Sequence, residues 1–304
     1  MGLVAAGAVV CLLALAGCGS GGSREATANL STTDSPSAAA ETTTDPIDGM
    51  YDVGGGRHLH LECLGEGAPV IVIVVGNDDT IHGSWEAVFT PMAAVSRVCA
   101  YDRANLGQSD ADPGPRLIRN LADDLVTLLH VAEVPGPYVF VGGSFGGNIA
   151  AVLADRHPEQ VAGLVLVDSR PANTDPHRDP LLSTLTAAQY RQCCPGGTGP
   201  PPVNSPDNRE HIDYASGLAD ELHSVRHLPP VPTAVLTATR SDECQQDWPC
   251  SAVVAAERWL QLLWLKGNPL GRQVDVDSGH VVQREAPDAI VEQTQTVVEA
   301  VRNP

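Results

Sequence analysis

Tyr138-Val139-Phe140-Val141-Gly142-Gly143-Ser144-Phe145-Gly146-Gly147 is the stretch on which the fold turns. Its four leading apolar residues, aromatic and β-branched, predict a buried strand. Asn148 to Arg156 behind it reads as a helix. Between the two, Gly142 to Gly146 spell G-x-S-x-G. A strand that turns so sharply into a helix needs glycine where a Cβ would collide with neighbouring backbone, and the turn holds the Ser144 hydroxyl out of the sheet as a candidate nucleophile. Composition alone produces such a pentapeptide about 0.1 times in a chain of this length, so the flanking strand and helix carry more weight than the motif.

The same alternation extends both ways. Upstream, Leu59, Leu61 and Cys63 alternate with His58, His60 and Glu62, the period of a strand with one buried face. Val70 to Val75 is wholly β-branched, as a central parallel strand buried on both faces requires. A helical segment Trp85 to Val95, a strand Arg97 to Tyr101 and a helix Leu117 to Val131 lead to the serine turn. Downstream come strand Val161 to Val167, strand Thr233 to Ala238, helix Ser251 to Lys266, strand Arg272 to Val276 and helix Pro287 to Val301. Alternating strands and helices predict an α/β fold with a mostly parallel sheet. The pattern breaks at about 170–230, where Pro195 to Pro206 is rich in Gly and Pro and Arg209 to Val225 carries Ile212, Ala215, Leu218, Ala219 and Leu222 at helical spacing. This stretch is expected to be an inserted cap.

Residues 1–17 are small and apolar and stop at Cys18, which reads as an export signal, although no Lys or Arg precedes the apolar run. Residues 18–46 are mostly Gly, Ser, Thr, Ala and acidic residues, unable to bury enough surface to offset their ordering entropy, and are expected to form a flexible tether. The catalytic domain is expected over 47–304. A formal net charge of -19 repels nucleic acid and anionic lipid surfaces alike and excludes both as main partners. Beyond Cys11 and Cys18 there remain Cys63, Cys99, Cys193, Cys194, Cys244 and Cys250. An even count in an exported chain favours disulfides. The spacings contain no C-x-x-C pair, so no metal site is expected.

A serine hydroxyl attacks well only when a base removes its proton, and histidine titrates near neutrality. His280, in Asp277-Ser278-Gly279-His280 just after the last strand, is the candidate base. The imidazole needs a carboxylate to fix its tautomer. Asp242, after strand Thr233 to Ala238, is the preferred acid, with Glu243, Asp247 and Asp168 as alternatives. A tetrahedral intermediate needs preorganised N–H donors. The backbone N–H of Phe145 and that of Asn77, in the loop after Val70 to Val75, are the candidates. That loop also carries Asp78 and Asp79, whose charges would weaken an oxyanion site if they faced it.

Gly76-Asn77, the segment Tyr101-Asp102-Arg103-Ala104-Asn105-Leu106-Gly107-Gln108-Ser109, the serine turn Gly142 to Gly147, Leu164 to Asp168 and Ser278-Gly279-His280 together resemble the α/β-hydrolase superfamily, in its bacterial serine-hydrolase branch. Leu15-Ala16-Gly17-Cys18 likewise resembles a bacterial lipobox, in which the cysteine is lipidated. The resemblance implies a mainly parallel eight-stranded sheet with helices on both faces, catalytic residues at its C-terminal edge, no cofactor and an acyl-enzyme on Ser144. It also implies that the strand of Cys63 lies beside that of Cys99, so that these two could bridge. Cys193 and Cys194 could pair with Cys244 and Cys250, or Cys244 with Cys250. Two positions depart from the pattern: Gly143, where many relatives have His, and Val75-Gly76, where many have His-Gly. The expected protein is a lipid-anchored serine hydrolase on the outer face of a bacterial membrane, held through Cys18 and cleaving small carboxylic esters. A proline-iminopeptidase-like aminopeptidase and a non-catalytic surface lipoprotein are the alternatives.

Overall fold

The computed structural model describes residues 45–171, 202–217, 224, 228–240 and 250–304. Eight strands, β1 (Ile47–Asp52), β2 (His58–Leu64), β3 (Ile71–Val74), β4 (Val98–Tyr101), β5 (Tyr138–Gly143), β6 (Val161–Val167), β7 (Thr233–Ala238) and β8 (Gly271–Val276), form one sheet in the order β1-β2-β4-β3-β5-β6-β7-β8. β1 and β2 pair antiparallel with each other, β2 pairs antiparallel with β4, and the other neighbours are parallel. The helices are α1 (Ile81–Ser84), α2 (Glu86–Met92), α3 (Ile118–Val131), α4 (Phe145–Arg156), α5 (Cys250–Leu262), α6 (Val282–Glu285) and α7 (Pro287–Arg302).

The unbroken apolar run of β3 is divided between two faces. Val72 and Val74 pack with Leu121, Leu125 and Leu128 of α3 and Ile149 and Leu153 of α4. Ile71 and Ile73 pack with Trp85, with Val88 and Met92 of α2, and with Ile290, Val297 and Val298 of α7. Each face therefore has its own apolar layer, so a period-2 polar pattern is absent from the central strands. The sheet's C-terminal edge, where β5 passes into α4, is left for chemistry.

Most expected elements lie where the sequence pattern puts them; the helix expected over Trp85 to Val95 spans only Glu86–Met92, the short α1 and α6 were not expected, and three further differences follow. β1 has only Ile47, Met50 and Tyr51 as large apolar residues and is half exposed at the sheet edge, which gives it no strong alternation. The helix expected to reach Lys266 ends at Leu262 and tightens into a 3-10 turn, Leu263–Leu265. The helix expected from Arg209 is not helical over 209–213. There Asn208 competes for the backbone: its Oδ1 accepts from the Ile212 N–H at 2.9 Å and its Nδ2 donates to the Ile212 carbonyl at 2.8 Å. Ile212 is buried and bridges to Arg116, and helical backbone begins only at Tyr214. Residues 218–223 and 225 of that expected helix lie outside the described residues.

Cys63 and Cys99 face each other across β2 and β4 and form a disulfide. The bond closes a loop of sequence separation 36, for which chain-entropy arguments give about 4 kcal/mol of stabilisation. Urea unfolding of the Cys63→Ala/Cys99→Ala protein is expected to show a loss of about that size; a difference within error would deny the bond a stabilising role. Cys250 is also disulfide-bonded. Cys193, Cys194 and Cys244 lie outside the described residues.

Candidate active site

The turn from β5 into α4 places Ser144 at φ 49°, ψ -123°. This conformation is costly for a residue with a Cβ and persists only where the surroundings enforce it. They do so here through the Ser144 N–H, which donates to the Val167 carbonyl of β6 at 2.9 Å, and through the tightness of the glycines. A Cβ on Gly146 would lie 2.0 Å from the Val74 carbonyl oxygen, so helix α4 can approach β3 only without a side chain there. A Cβ on Gly143 would meet the Trp85 ring at 2.4 Å. Trp85 therefore fills the space that a side chain before the nucleophile would need, which accounts for glycine where many relatives have histidine.

His280 reaches the serine from the loop after β8. The loop is tied by Arg240 N–H to the Ser278 carbonyl (3.0 Å) and by Gly279 N–H to Glu285 Oε2 (3.1 Å). His280 Nε2 lies 3.0 Å from Ser144 Oγ, and its Nδ1 lies 2.6 Å from Asp168 Oδ2. The place at Nδ1 that the sequence reading preferred for Asp242 is thus held by Asp168, and Asp242 lies outside the described residues. Asp168 follows β6 at φ 43°, a left-handed turn. Its N–H donates to the Leu236 carbonyl at 2.8 Å. Its Oδ1 accepts from Ala238 N–H (3.1 Å) and Gln261 Nε2 (2.7 Å), and Gln261 is itself held by Thr237 Oγ1 at 2.8 Å. One carboxylate oxygen is therefore fixed by β7 and α5, and the other is aimed at the imidazole.

Gly76 follows β3 directly above the serine: a Cβ built on it would lie 3.7 Å from Ser144 Cβ and 3.5 Å from the Gly143 carbonyl oxygen. The next N–H, that of Asn77, and the Phe145 N–H at the start of α4 make no hydrogen bond among the described residues. The neighbouring acids turn away. Asp79 accepts from the N–H groups of Thr80 (2.9 Å) and Ser84 (3.2 Å) and from Ser84 Oγ, so it fixes the start of α1. Asp78 Oδ1 is 3.4 Å from Arg209 Nε. Below the loop lies Arg103, almost wholly buried, as is its partner Glu210. Burial works against the Arg103 charge, but Glu210 outweighs it and the pKa is raised. Tyr214 donates to Asn77 Oδ1 at 2.6 Å, and burial, reinforced by the Glu210 charge, pushes its pKa up to about 12, so it stays a donor at any working pH. Among the described residues, Asp48, His60 and Glu62 could hold a metal ion; they sit on β1 and β2 at the sheet edge, and the serine site has no part in that group.

This arrangement of strand order, serine turn and histidine loop matches a known family. A family model for the α/β hydrolase fold covers residues 69–193, from the approach to β3 through the serine turn and β6. The chain has the α/β-hydrolase fold. This hydrolase-fold chain is 34% identical over 126 residues to 2-hydroxymuconate semialdehyde hydrolase of Pseudomonas sp. strain CF600, covering 41% of this chain and 44% of that protein. It is 34% identical over 119 residues to pimeloyl-[acyl-carrier protein] methyl ester esterase of Shewanella woodyi, covering 37% and 40%. The matches thus span less than half the length of these curated relatives. In structure it is similar to a thermophilic esterase from Thermogutta terrifontis, with TM-score 0.58 and 21% identity over 84% of this chain and 99% of the other, which speaks to the fold alone.

Proposed function

We propose that this α/β-hydrolase-fold chain is a serine hydrolase that cleaves carboxylic esters through an acyl-enzyme, with Ser144 as nucleophile, His280 as base and Asp168 as the acid that orients it. The unbroken chain from Ser144 Oγ through the imidazole to Asp168 carries the reading. His280 Nε2 accepts the hydroxyl proton as Oγ attacks the ester carbonyl; Asp168 fixes the proton on Nδ1 and stabilises the imidazolium. The N–H groups of Asn77 and Phe145 receive the developing oxyanion. The imidazolium returns its proton to the departing alcohol, leaving Ser144 acylated. Water, deprotonated by the same nitrogen, then releases the acid and restores the serine. The absence of Asp78 and Asp79 from the oxyanion side supports the same reading, since neither charge opposes the anion.

A fluorophosphonate probe tests this directly. Labelling on Ser144, with hydrolysis of p-nitrophenyl esters exceeding that of proline β-naphthylamide, is expected. The reverse preference would favour the aminopeptidase alternative, and no labelling of folded protein would leave a binding lipoprotein.

The proposal extends to location: an enzyme exported and lipid-anchored through Cys18 on a tether to the outer face of the cell membrane. It is supported by the apolar run that stops at Cys18 and the polar stretch behind it. No helix among the described residues is long and apolar enough to cross a membrane. Incorporation of a tagged fatty acid that disappears in Cys18→Ala is the expected result; equal labelling of both proteins would remove the anchor.

A further inference from the structure

The loop that carries Asn77 is gripped from below and from the segment between β6 and β7. Arg103 Nη1 donates to the Val75 carbonyl at 2.7 Å and Nη2 to the Gly76 carbonyl at 2.6 Å. The Gly76 carbonyl and the Asn77 N–H belong to one trans peptide plane, in which they point in opposite directions. Holding the carbonyl on one side therefore sets where the N–H points on the other. Because the donor is a cation, it also polarises the peptide and strengthens the N–H opposite it.

Arg103 is aimed by Glu210. The carboxylate takes Nε at 2.5 Å and Nη2 at 2.7 Å, and its Oε1 also accepts from the Asp78 N–H at 3.1 Å, one residue beyond Asn77. Tyr214, four residues further along the same segment, holds the Asn77 side chain. Both side chains also touch the residue that supplies the second donor: the Arg103 guanidinium stacks 5.9 Å from the Phe145 ring centroid, and the Tyr214 ring meets that ring edge-on at 5.4 Å. A buried ion pair contributes little net stability compared with apolar packing, so these contacts ask for another role.

We infer that Arg103, Glu210 and Tyr214 are positioning residues for the oxyanion hole, coupling the segment between β6 and β7 to the Gly76–Asn77 peptide. The inference rests on the serine-hydrolase reading above. Glu210 locks the guanidinium, the guanidinium orients and polarises the peptide, and Tyr214 fixes the Asn77 side chain. Displacement of that segment would free the peptide to rotate and would slow acylation without removing any triad member.

The test compares wild type with Arg103→Lys, Glu210→Gln and Tyr214→Phe, using ester kinetics and inhibition by phenylboronic acid, which becomes a tetrahedral anion on Ser144 Oγ. Loss of a donor outright costs roughly a hundredfold to a thousandfold in kcat; misorientation is expected to cost about tenfold or more in Arg103→Lys and Glu210→Gln and about fivefold in Tyr214→Phe. KM should stay within about twofold, and boronate inhibition should weaken by the same factor as kcat. Tyr214 is only half-buried, so its variant decides the matter if a buried-pair variant does not fold. Unchanged kcat and boronate inhibition in folded Tyr214→Phe, or a loss confined to KM, would overturn the inference. Wild-type protein that neither reacts with a fluorophosphonate nor binds the boronate would instead sink the serine-hydrolase reading itself.

Discussion

Ser144→Ala is expected to lower ester turnover by about a millionfold, the scale on which a triad nucleophile acts, while leaving stability within about 0.5 kcal/mol of wild type. The two expectations have separate physical causes. Turnover needs Oγ, and alanine has none. Stability is set by backbone that either residue must hold at φ 49° against the same Cβ penalty, and the lost hydrogen bond to His280 lies at a half-exposed ring. Ser144→Gly separates them further. It should be as inactive as the alanine variant, yet more stable by about 1 kcal/mol, because glycine occupies this conformation without strain. Urea unfolding and p-nitrophenyl ester hydrolysis measure both quantities. Activity in Ser144→Ala comparable with wild type would remove the serine from the mechanism, and a glycine variant less stable than the alanine one would deny that the turn stores strain.

How much of this was legible in the sequence depended on how locally each feature is determined. The runs Val70 to Val75, Val161 to Val167 and Thr233 to Ala238 must be buried on both faces, and their strands agree with the pattern to within a residue at each end. Ser144 and His280 could be named because each sits in a short loop directly after a strand, where the backbone alone fixes the neighbourhood. β1 could not be named, since an edge strand with few apolar residues has its register set by its partner β2 and not by its own periodicity. The start of the expected cap helix failed for a different reason: Asn208 offers the Ile212 backbone a local side-chain partner that outcompetes the helix. Arg103 was visible only as part of a resemblance. Its role depends on Glu210, 107 positions away, and no local pattern announces a contact of that separation.

The acid shows the same limit most sharply. β6 and β7 are adjacent in the sheet, and an aspartate after either strand, Asp168 or Asp242, satisfies the chain order Ser, Asp, His, so the preference for Asp242 in the sequence had no local pattern to set it above Asp168. Asp168 enters a left-handed turn at φ 43°, and its Oδ1 is occupied by Ala238 N–H and Gln261, leaving Oδ2 aimed at Nδ1 of the imidazole. Asp168→Asn is therefore expected to lower kcat by about ten-thousandfold, because the amide preserves shape but stabilises the wrong tautomer and leaves the imidazolium without a countercharge. The loss should fall in kcat with little change in KM, since the carboxylate faces the histidine and not the substrate. Asp242→Asn should fall far less, and the reverse order of the two losses would return the acid to Asp242. The neighbouring Gln261→Ala tests the orientation separately: it removes one fixed donor to Oδ1 but leaves the charge, so its cost should lie well below that of Asp168→Asn.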